Sequence, residues 1–133
     1  MRHFLLDTSA LLALRDDEPG AERVAGLLRE KSVQCDACFM TRMEILYRVW
    51  KDEGELSGKL ALQQCLALPL QWVEADEALL LQAAELKAGF AISVVDAWIA
   101  AAAMRRGAIL VHKDPEFSAL PIQQETLPLK PSG

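Results

Sequence analysis

Residues 3–14 read HFLLDTSALLAL, and this stretch constrains the fold most because one apolar pattern changes into another at Asp7. Residues 4–6 form a continuous apolar run, which is typical of a strand that is buried on both faces. From Thr8 onward the apolar residues recur at helical spacing, which predicts a helix. Asp7 therefore lies where a strand ends and a helix begins, and in an open parallel sheet that position faces the ligand crevice.

The same alternation of strands and helices continues along the chain. Strands are predicted at residues 4–6, 33–40, 70–73, 108–112 and 122–127. Helices are predicted at residues 8–14, 21–31, 41–51, 56–68, 77–87 and 94–106. This order implies an α/β fold with three layers, in which a mainly parallel sheet of four to five strands has helices on both faces. We expect a single domain over residues 1–127 and a flexible C-terminal tail at residues 128–133.

Composition is typical of a soluble globular protein and argues against secreted and membrane proteins. The chain has 133 residues, of which 52% are hydrophobic and 25% are charged, so one domain with a substantial core is expected. Asp7 comes too early for a secretory signal, and Asp96 interrupts the most apolar stretch, residues 88–104. The 3 cysteines, an odd number, favour reduced thiols in the cytoplasm over a disulfide framework.

The formal net charge of −5 argues against non-specific nucleic-acid binding through a broad basic face. It does not exclude a nuclease, because carboxylates gathered in one metal site contribute to the formal charge and a bound cation reverses the local field. If such a site exists, the rest of the surface is less acidic than the total charge suggests.

Four carboxylates lie where the carboxyl-end crevice of a parallel sheet would collect them. Asp7 and Asp114 follow predicted strands, whereas Glu44 and Asp96 lie in the first turns of predicted helices. If these carboxylates meet, their repulsion raises their pKa values unless a cation is present. Oxygen ligands without sulfur or a required histidine suit Mg²⁺ or Mn²⁺. Such a site can activate water and stabilise an in-line phosphoryl displacement.

Each of these carboxylates also has a purely structural explanation as a helix cap or turn residue. The candidate caps and turns are Asp7 alone, Thr41 with Glu44, Ser93 with Asp96, and Asp114 before Pro115. The helix macrodipole favours carboxylates at such positions in any case. Four of them at corresponding places in one small domain nevertheless favour a shared site.

Four segments follow one another between Phe4 and Phe117: LLDTSALLAL, TRMEIL, ISVVDAWIAAAA and ILVHKDPEF. Together they resemble the PIN domain family, and most of all the bacterial VapC-type ribonuclease toxins. The resemblance implies a Rossmann-like sheet, RNA cleavage that depends on one or two Mg²⁺ or Mn²⁺ ions, and inhibition by a cognate antitoxin protein. It also implies a homodimer and an RNA substrate that is one site in a tRNA, rRNA or mRNA.

The family's acidic residues, which are its catalytic residues and metal ligands, correspond here to Asp7, Glu44, Asp96 and Asp114. Ser9 matches a small hydroxyl residue that usually follows the first aspartate and helps to order the site. His112 departs from the pattern, because the family commonly has Thr or Ser at that place. Either a hydroxyl bond to the site is missing or His112 supplies a substitute. Its imidazole is also a candidate phosphate contact or proton donor, with a structural role at the strand end as the alternative.

Two other functions stay open from the sequence. The first is a non-catalytic PIN-like module that binds RNA or protein, although the intact acidic set argues against it. The second is a Mg²⁺-dependent phosphatase or phosphotransfer domain. A haloacid-dehalogenase-like phosphatase would need a second aspartate where Ser9 stands, and a receiver domain would need an acidic pair after the first strand.

Three further groups of residues have a functional and a structural interpretation. Cys35 and Cys38 form a C-x-x-C motif, but an offset of three in a strand places them on opposite faces, which argues against a shared redox or zinc site. Lys113 is a candidate contact for the RNA backbone. Arg105 and Arg106 fit solvated surface charge better.

Overall fold

Apolar runs form the strands of this protein, and amphipathic segments form the helices between them. The structure is a computed structural model, and it describes residues 1–130. The strands are β1 (Arg2–Leu6), β2 (Val33–Cys38), β3 (Gln71–Val73), β4 (Ile109–His112) and β5 (Gln124–Thr126). The helices are α1 (Thr8–Arg15), α2 (Ala21–Arg29), α3 (Phe39–Glu53), α4 (Glu55–Leu66), α5 (Glu77–Gly89) and α6 (Val94–Arg106). A short 3₁₀ helix follows β4 at Pro115–Ala119.

The five strands of residues 1–130 are all parallel and follow the order β3-β2-β1-β4-β5. β1 is central, because Leu5 pairs with Asp36 of β2 on one side and with Leu110 of β4 on the other. The chain moves outward from β1 to β3 and then crosses to β4, so the strand order reverses beside β1. The predicted α/β fold with a mainly parallel sheet is therefore confirmed, with five strands.

Each face of the sheet packs against its own layer of helices. Phe4 and Leu6 of β1 pack with α1, α2, α3 and α4, whereas Leu5 packs with α5 and α6 on the opposite face. Both faces are therefore buried, which explains why the strand is a continuous apolar run. The alanines at residues 100–103 of α6 are fully buried, because their small side chains let the helix approach the sheet closely.

Helix α3 begins at Phe39 and not at Thr41 as predicted. β2 stops pairing with β3 at Cys38, and the helix starts at the next residue. Because Thr41 lies inside the helix, the predicted capping box of Thr41 with Glu44 is wrong. The Thr41 side chain is buried, and its hydroxyl lies 3.2 Å from that of Thr8. Glu44 consequently lies in the second turn of α3, not in the first.

The C-terminal segment forms the edge of the sheet. β5 is shorter than the strand predicted at residues 122–127 and pairs with β4 alone. Of the tail predicted at residues 128–133, the last three residues lie outside the described residues, and Lys130 lies 2.6 Å from Glu18. No helix among residues 1–130 is long and apolar enough to cross a membrane.

Candidate active site at the carboxyl ends of the strands

A cleft of about 290 Å³ opens where β1 and β4 end. The residues that line it are Asp7, Thr8, Ser9, Glu44, Arg48, Asp96, Ile99, Lys113, Asp114 and Pro115. Asp7 follows β1, Glu44 comes from α3, Asp96 lies in the first turn of α6, and Asp114 follows β4. The structure thus brings all four predicted acidic residues to one cleft, although they come from separate parts of the chain.

Asp7 is the most buried of these acids, with 4% of its surface exposed. Its Oδ1 accepts hydrogen bonds from the Ser9 hydroxyl at 2.7 Å and from the backbone N–H of Ala10 at 2.9 Å. The second bond makes Asp7 the N-cap of α1, so its structural explanation is also correct. Burial raises the pKa of Asp7 to about 7, and the charges of Glu44 and Asp114 add a smaller increase. The two hydrogen bonds to Oδ1 lower the pKa but do not outweigh the effect of burial.

Ser9 connects the end of β1 to the loop that carries Asp114. Its Oγ donates to Asp7 and accepts a hydrogen bond of 3.0 Å from the backbone N–H of Lys113. One hydroxyl therefore contacts Asp7 directly and holds the backbone next to Asp114.

His112 is buried beneath the loop that carries Asp114. Its Nδ1 accepts a hydrogen bond of 3.0 Å from the backbone N–H of Asp114, and its Nε2 lies 2.9 Å from Gln124 Oε1. These partners require the neutral tautomer with its hydrogen on Nε2, and burial lowers the pKa of His112 in the same direction. The ring does not line the cleft. His112 therefore positions the Asp114 backbone through its Nδ1 atom, at the place where the family commonly has the hydroxyl of Thr or Ser.

Glu44 is held by a residue that the sequence did not single out. Its Oε1 accepts a hydrogen bond of 2.5 Å from the Thr8 hydroxyl. Thr8 is the first residue of α1 and follows Asp7 directly, so its position at the crevice was the available signal. The contact fixes the orientation of the Glu44 carboxylate across the cleft.

A group of three carboxylates lies on the α6 side of the cleft. Asp96, Asp114 and Glu116 each place an oxygen atom within 4.8 Å of the others. Burial, together with the adjacent Glu116 and Asp114 carboxyls, raises the pKa of Asp96 to about 9. Sequence reasoning missed Glu116, for which the available signal was its place two residues after Asp114. In the structure Asp114 Oδ1 accepts a hydrogen bond of 2.9 Å from the Glu116 backbone N–H and caps the 3₁₀ helix that carries Glu116.

The donor set of this cleft fits a hard divalent cation. Its acidic ligand atoms are carboxylate oxygens, no thiol lines it, and both ring nitrogens of His112 already have protein partners. Burial, together with the neighbouring carboxylates, raises the pKa values of Asp7 and Asp96, which disfavours their charged forms. A divalent cation bound at this cleft would favour the charged forms instead.

The sequence matches the family model described as the PIN domain over residues 4–123. The chain belongs to the PIN domain family. This match confirms the resemblance that the four segments indicated, and the five-stranded parallel sheet is the Rossmann-like sheet that the resemblance implied.

Solved structures from toxin–antitoxin systems have a fold similar to this PIN domain. VapBC2 from Rickettsia felis, bound to promoter DNA, matches with a TM-score of 0.78 and 19% identity over 95% of this chain and 99% of that one. VapBC-1 from nontypeable Haemophilus influenzae matches with a TM-score of 0.72 and 22% identity, over 93% of this chain and 97% of that one. VapC20 from Mycobacterium tuberculosis, a sarcin-ricin loop cleaving toxin, matches with a TM-score of 0.72 and 20% identity, over 94% of this chain and 99% of that one. No curated protein matches the sequence.

Two of the other groups singled out in the sequence have structural positions in this PIN domain. Cys35 and Cys38 are free and pack into the cores on opposite faces of the sheet. Burial raises the pKa of the Cys35 thiol to about 11 and that of Cys38 to about 12, which makes both unreactive at neutral pH. Arg105 lies 2.6 Å from Asp76, so this arginine forms an ion pair at the surface.

Proposed function

We propose that this PIN domain is a Mg²⁺- or Mn²⁺-dependent endoribonuclease that hydrolyses phosphodiester bonds of RNA as the toxin of a toxin–antitoxin pair. The observation that carries the proposal is the convergence of four acidic residues on one cleft, where burial and the neighbouring carboxylates raise the pKa values of Asp7 and Asp96. Raised carboxylate pKa values in a cleft are typical of functional sites.

We propose Asp7, Glu44, Asp96 and Asp114 as the residues that hold one or two divalent ions and carry the reaction. A bound divalent cation lowers the pKa of water and offsets the charge that develops on the phosphate. The protein orients its carboxylates in advance through contacts that pack beneath them. These contacts are Ser9 to Asp7, Thr8 to Glu44, and His112 to the backbone of Asp114.

The proposed substrate and partners follow from the solved relatives. One of them is described as cleaving the sarcin-ricin loop, which supports RNA as the substrate class. Others are VapBC complexes, which supports a cognate antitoxin as a protein partner. We further propose that the protein is a homodimer and that it acts in the cytoplasm, where its three free thiols would stay reduced.

The test is incubation of the purified, antitoxin-free protein with total cellular RNA in Mg²⁺ or Mn²⁺, followed by sequencing of the new RNA ends. Discrete cuts that disappear with EDTA and with Asp7→Ala are expected. Asp7→Asn serves as a second variant, because asparagine retains the helix cap that alanine removes.

A folded protein that binds the metal but makes no cuts would contradict the proposal. That outcome would favour the alternative of a non-catalytic module that binds RNA or protein. A phosphatase or phosphotransfer reaction has less support, because position 9 holds a serine whose hydroxyl is bonded to Asp7.

A further inference from the structure

Arg48 lines the acidic cleft, yet the proposed chemistry assigns it no role. It lies on α3 one helical turn after Glu44, and its surface is exposed. The spacing of four places both side chains on the same face of the helix. Arg48 also lines a second, polar groove of about 290 Å³ that adjoins the acidic cleft. Its guanidinium therefore stands at the boundary between the two.

The nearby cations are held by carboxylates, and Arg48 is not. Arg15, which lines the adjoining groove, donates to both oxygens of Glu53 at 2.9 and 3.0 Å. Lys113, the other cation of the acidic cleft, has a side chain that is 10% exposed and lies 3.8 Å from Glu18. Within residues 1–130, Arg48 has no ion pair with a carboxylate. Its charge is therefore available to a ligand.

An RNA strand needs such a cation to enter this cleft. The four acidic residues of the cleft and the adjacent Glu116 supply five carboxylates. If all are ionised, one divalent ion leaves three negative charges and two ions leave one. The phosphates on either side of the scissile bond are each negatively charged, so they are repelled unless the protein offers a positive group. A guanidinium suits this role because it can donate two parallel hydrogen bonds to one phosphate.

We propose that Arg48 is a substrate-binding residue that donates hydrogen bonds to a phosphate next to the scissile one. The contact would direct the RNA strand from the acidic cleft toward the adjoining polar groove. This inference rests on the proposed ribonuclease function and adds the residue that orients the RNA backbone.

The test compares Arg48→Gln with Arg29→Gln in steady-state cleavage at several salt concentrations. Arg29 is a matched control, because it is exposed at the end of α2, close to where β2 begins and so near the amino ends of the strands, opposite the cleft. Arg48→Gln should raise KM about five- to tenfold with little change in kcat. The slope of log(1/KM) against log salt should become shallower by about 0.7, the value for one phosphate contact on a single strand. Arg29→Gln should change neither quantity.

Arg48→Lys provides the conservative variant. Lysine retains the charge but not the two parallel donors, so the salt slope should stay at its wild-type value while KM rises less than in Arg48→Gln. Thermal melting of each variant checks the fold, which should be unaffected because Arg48 is exposed.

A binding measurement separates failure of this inference from failure of the proposed function. The probe is a short fluorescein-labelled single-stranded RNA of mixed sequence, titrated in Ca²⁺ so that binding is measured without turnover. If the wild-type protein cuts RNA and Arg48→Gln keeps its KM and salt slope, the inference is wrong and the ribonuclease proposal stands. Equal effects of Arg29→Gln would also overturn it. If neither the wild-type protein nor any variant cuts RNA but Arg48→Gln alone weakens probe binding, Arg48 contacts the RNA backbone without a scissile bond beside it, and the ribonuclease proposal fails.

Discussion

Asp7 and Asp36 are both buried at the central strands, but their surroundings differ. Asp36 lies within β2 with none of its surface exposed. It accepts a hydrogen bond of 2.7 Å from Gln34 Nε2, and its oxygens lie 3.0 Å from His3 Nδ1 and 3.7 Å from Arg106 Nη1. Asp7, at the end of β1, accepts hydrogen bonds from one hydroxyl and one backbone N–H, and it faces other carboxylates.

This comparison separates a structural carboxylate from a candidate ligand. A buried charge is tolerated when a paired and hydrogen-bonded partner compensates it. The fold brings such a partner to Asp36, because the last turn of α6 places Arg106 beside β2. Asp7 has neutral donors alone, and its pKa is raised to about 7. It must therefore take up a proton or receive a cation from outside the protein.

The sharpest test of the comparison is Asp7→Asn, which should have the largest effect on activity. Asparagine retains the cap of α1 but removes one charge from the cleft. RNA cleavage should fall by about two to three orders of magnitude. The melting temperature in EDTA at neutral pH should stay the same or rise, because an uncompensated charge is lost. Asp96→Asn should behave alike, since Ser93 and not Asp96 supplies the cap of α6.

Cleavage assays in Mg²⁺ and melting curves in EDTA measure the two quantities on the same preparation. Unchanged cleavage would remove the substituted aspartate from the site. A large loss of stability would instead place Asp7 in the same class as Asp36.

Asp36→Asn should show the opposite pattern, with lower stability and unchanged activity. The substitution leaves Arg106 without the carboxylate that faces it and replaces one of the two oxygens that Gln34 and His3 contact with an NH2 group, which cannot accept a hydrogen bond. The free energy of unfolding should fall by about 2–3 kcal/mol, somewhat less than for a fully buried pair, because the Arg106 side chain is 30% exposed. Urea denaturation measures this change. Loss of cleavage by a variant of wild-type stability would show that Asp36 has a role beyond the fold.

The sequence identified Asp7 and not Asp36, because a local sequence pattern marks the position of Asp7 and no such pattern marks the partners of Asp36. Asp7 marks the point where strand periodicity gives way to helical periodicity, so a local pattern reveals its position. The partners of Asp36 come from β1, β2 and α6, and nothing in the sequence predicts that Arg106 meets β2. The same limit applies to Thr8 and Glu44, whose contact depends on how α1 and α3 pack together.

The sequence predicts the order of strands and helices better than it predicts the contacts between them. Alternation of apolar runs with amphipathic helices is a local pattern, and it predicted a parallel sheet covered on both faces. The sequence predicts that α3 begins at Thr41, because the apolar strand pattern extends to Met40 and helical spacing of apolar residues follows it. Strand pairing decided otherwise, since β2 stops pairing at Cys38 and the helix follows at once.

Metal and pH should act together on stability through Asp7. Its pKa is 3.8 in the unfolded chain and about 7 in the folded protein, so the folded state binds the proton more tightly. This contribution to stability is fully present below about pH 4 and is lost as the pH rises through about 7. A divalent ion replaces the proton, and at about ten times its Kd it should stabilise the protein by about 1.4 kcal/mol. The increase in Tm on adding Mg²⁺ should therefore be larger at neutral pH than near pH 5.

Thermal melting in EDTA and in Mg²⁺ or Mn²⁺ at both pH values tests this prediction. Asp7→Asn is the control variant, in which the dependence on pH should become weaker. A melting temperature that does not respond to either ion at neutral pH would contradict a preformed site.

The smallest expected effect is that of Thr8→Val. This substitution tests whether Glu44 is a candidate metal ligand, as Asp7 is, or a structural carboxylate, as Asp36 is. Valine has nearly the shape of threonine but lacks the hydroxyl that donates to Glu44 Oε1. We expect metal affinity and cleavage to fall about three- to tenfold, because one hydrogen bond that orients the carboxylate is lost. Thr8→Ser, which retains the hydroxyl, should restore both values.

Stability alone does not decide this last case. Thr8 also lies 3.2 Å from the buried Thr41 hydroxyl, so valine removes a partner there and lowers the free energy of unfolding by about 1 kcal/mol in any case. Isothermal titration of Mn²⁺ into the folded variants isolates the role of Glu44. If Thr8→Val loses stability but binds Mn²⁺ as tightly as Thr8→Ser does, the contact between Thr8 and Glu44 serves the fold, as the partners of Asp36 do. If affinity falls and serine restores it, Thr8 is a positioning residue of the metal site, and Glu44 belongs with Asp7.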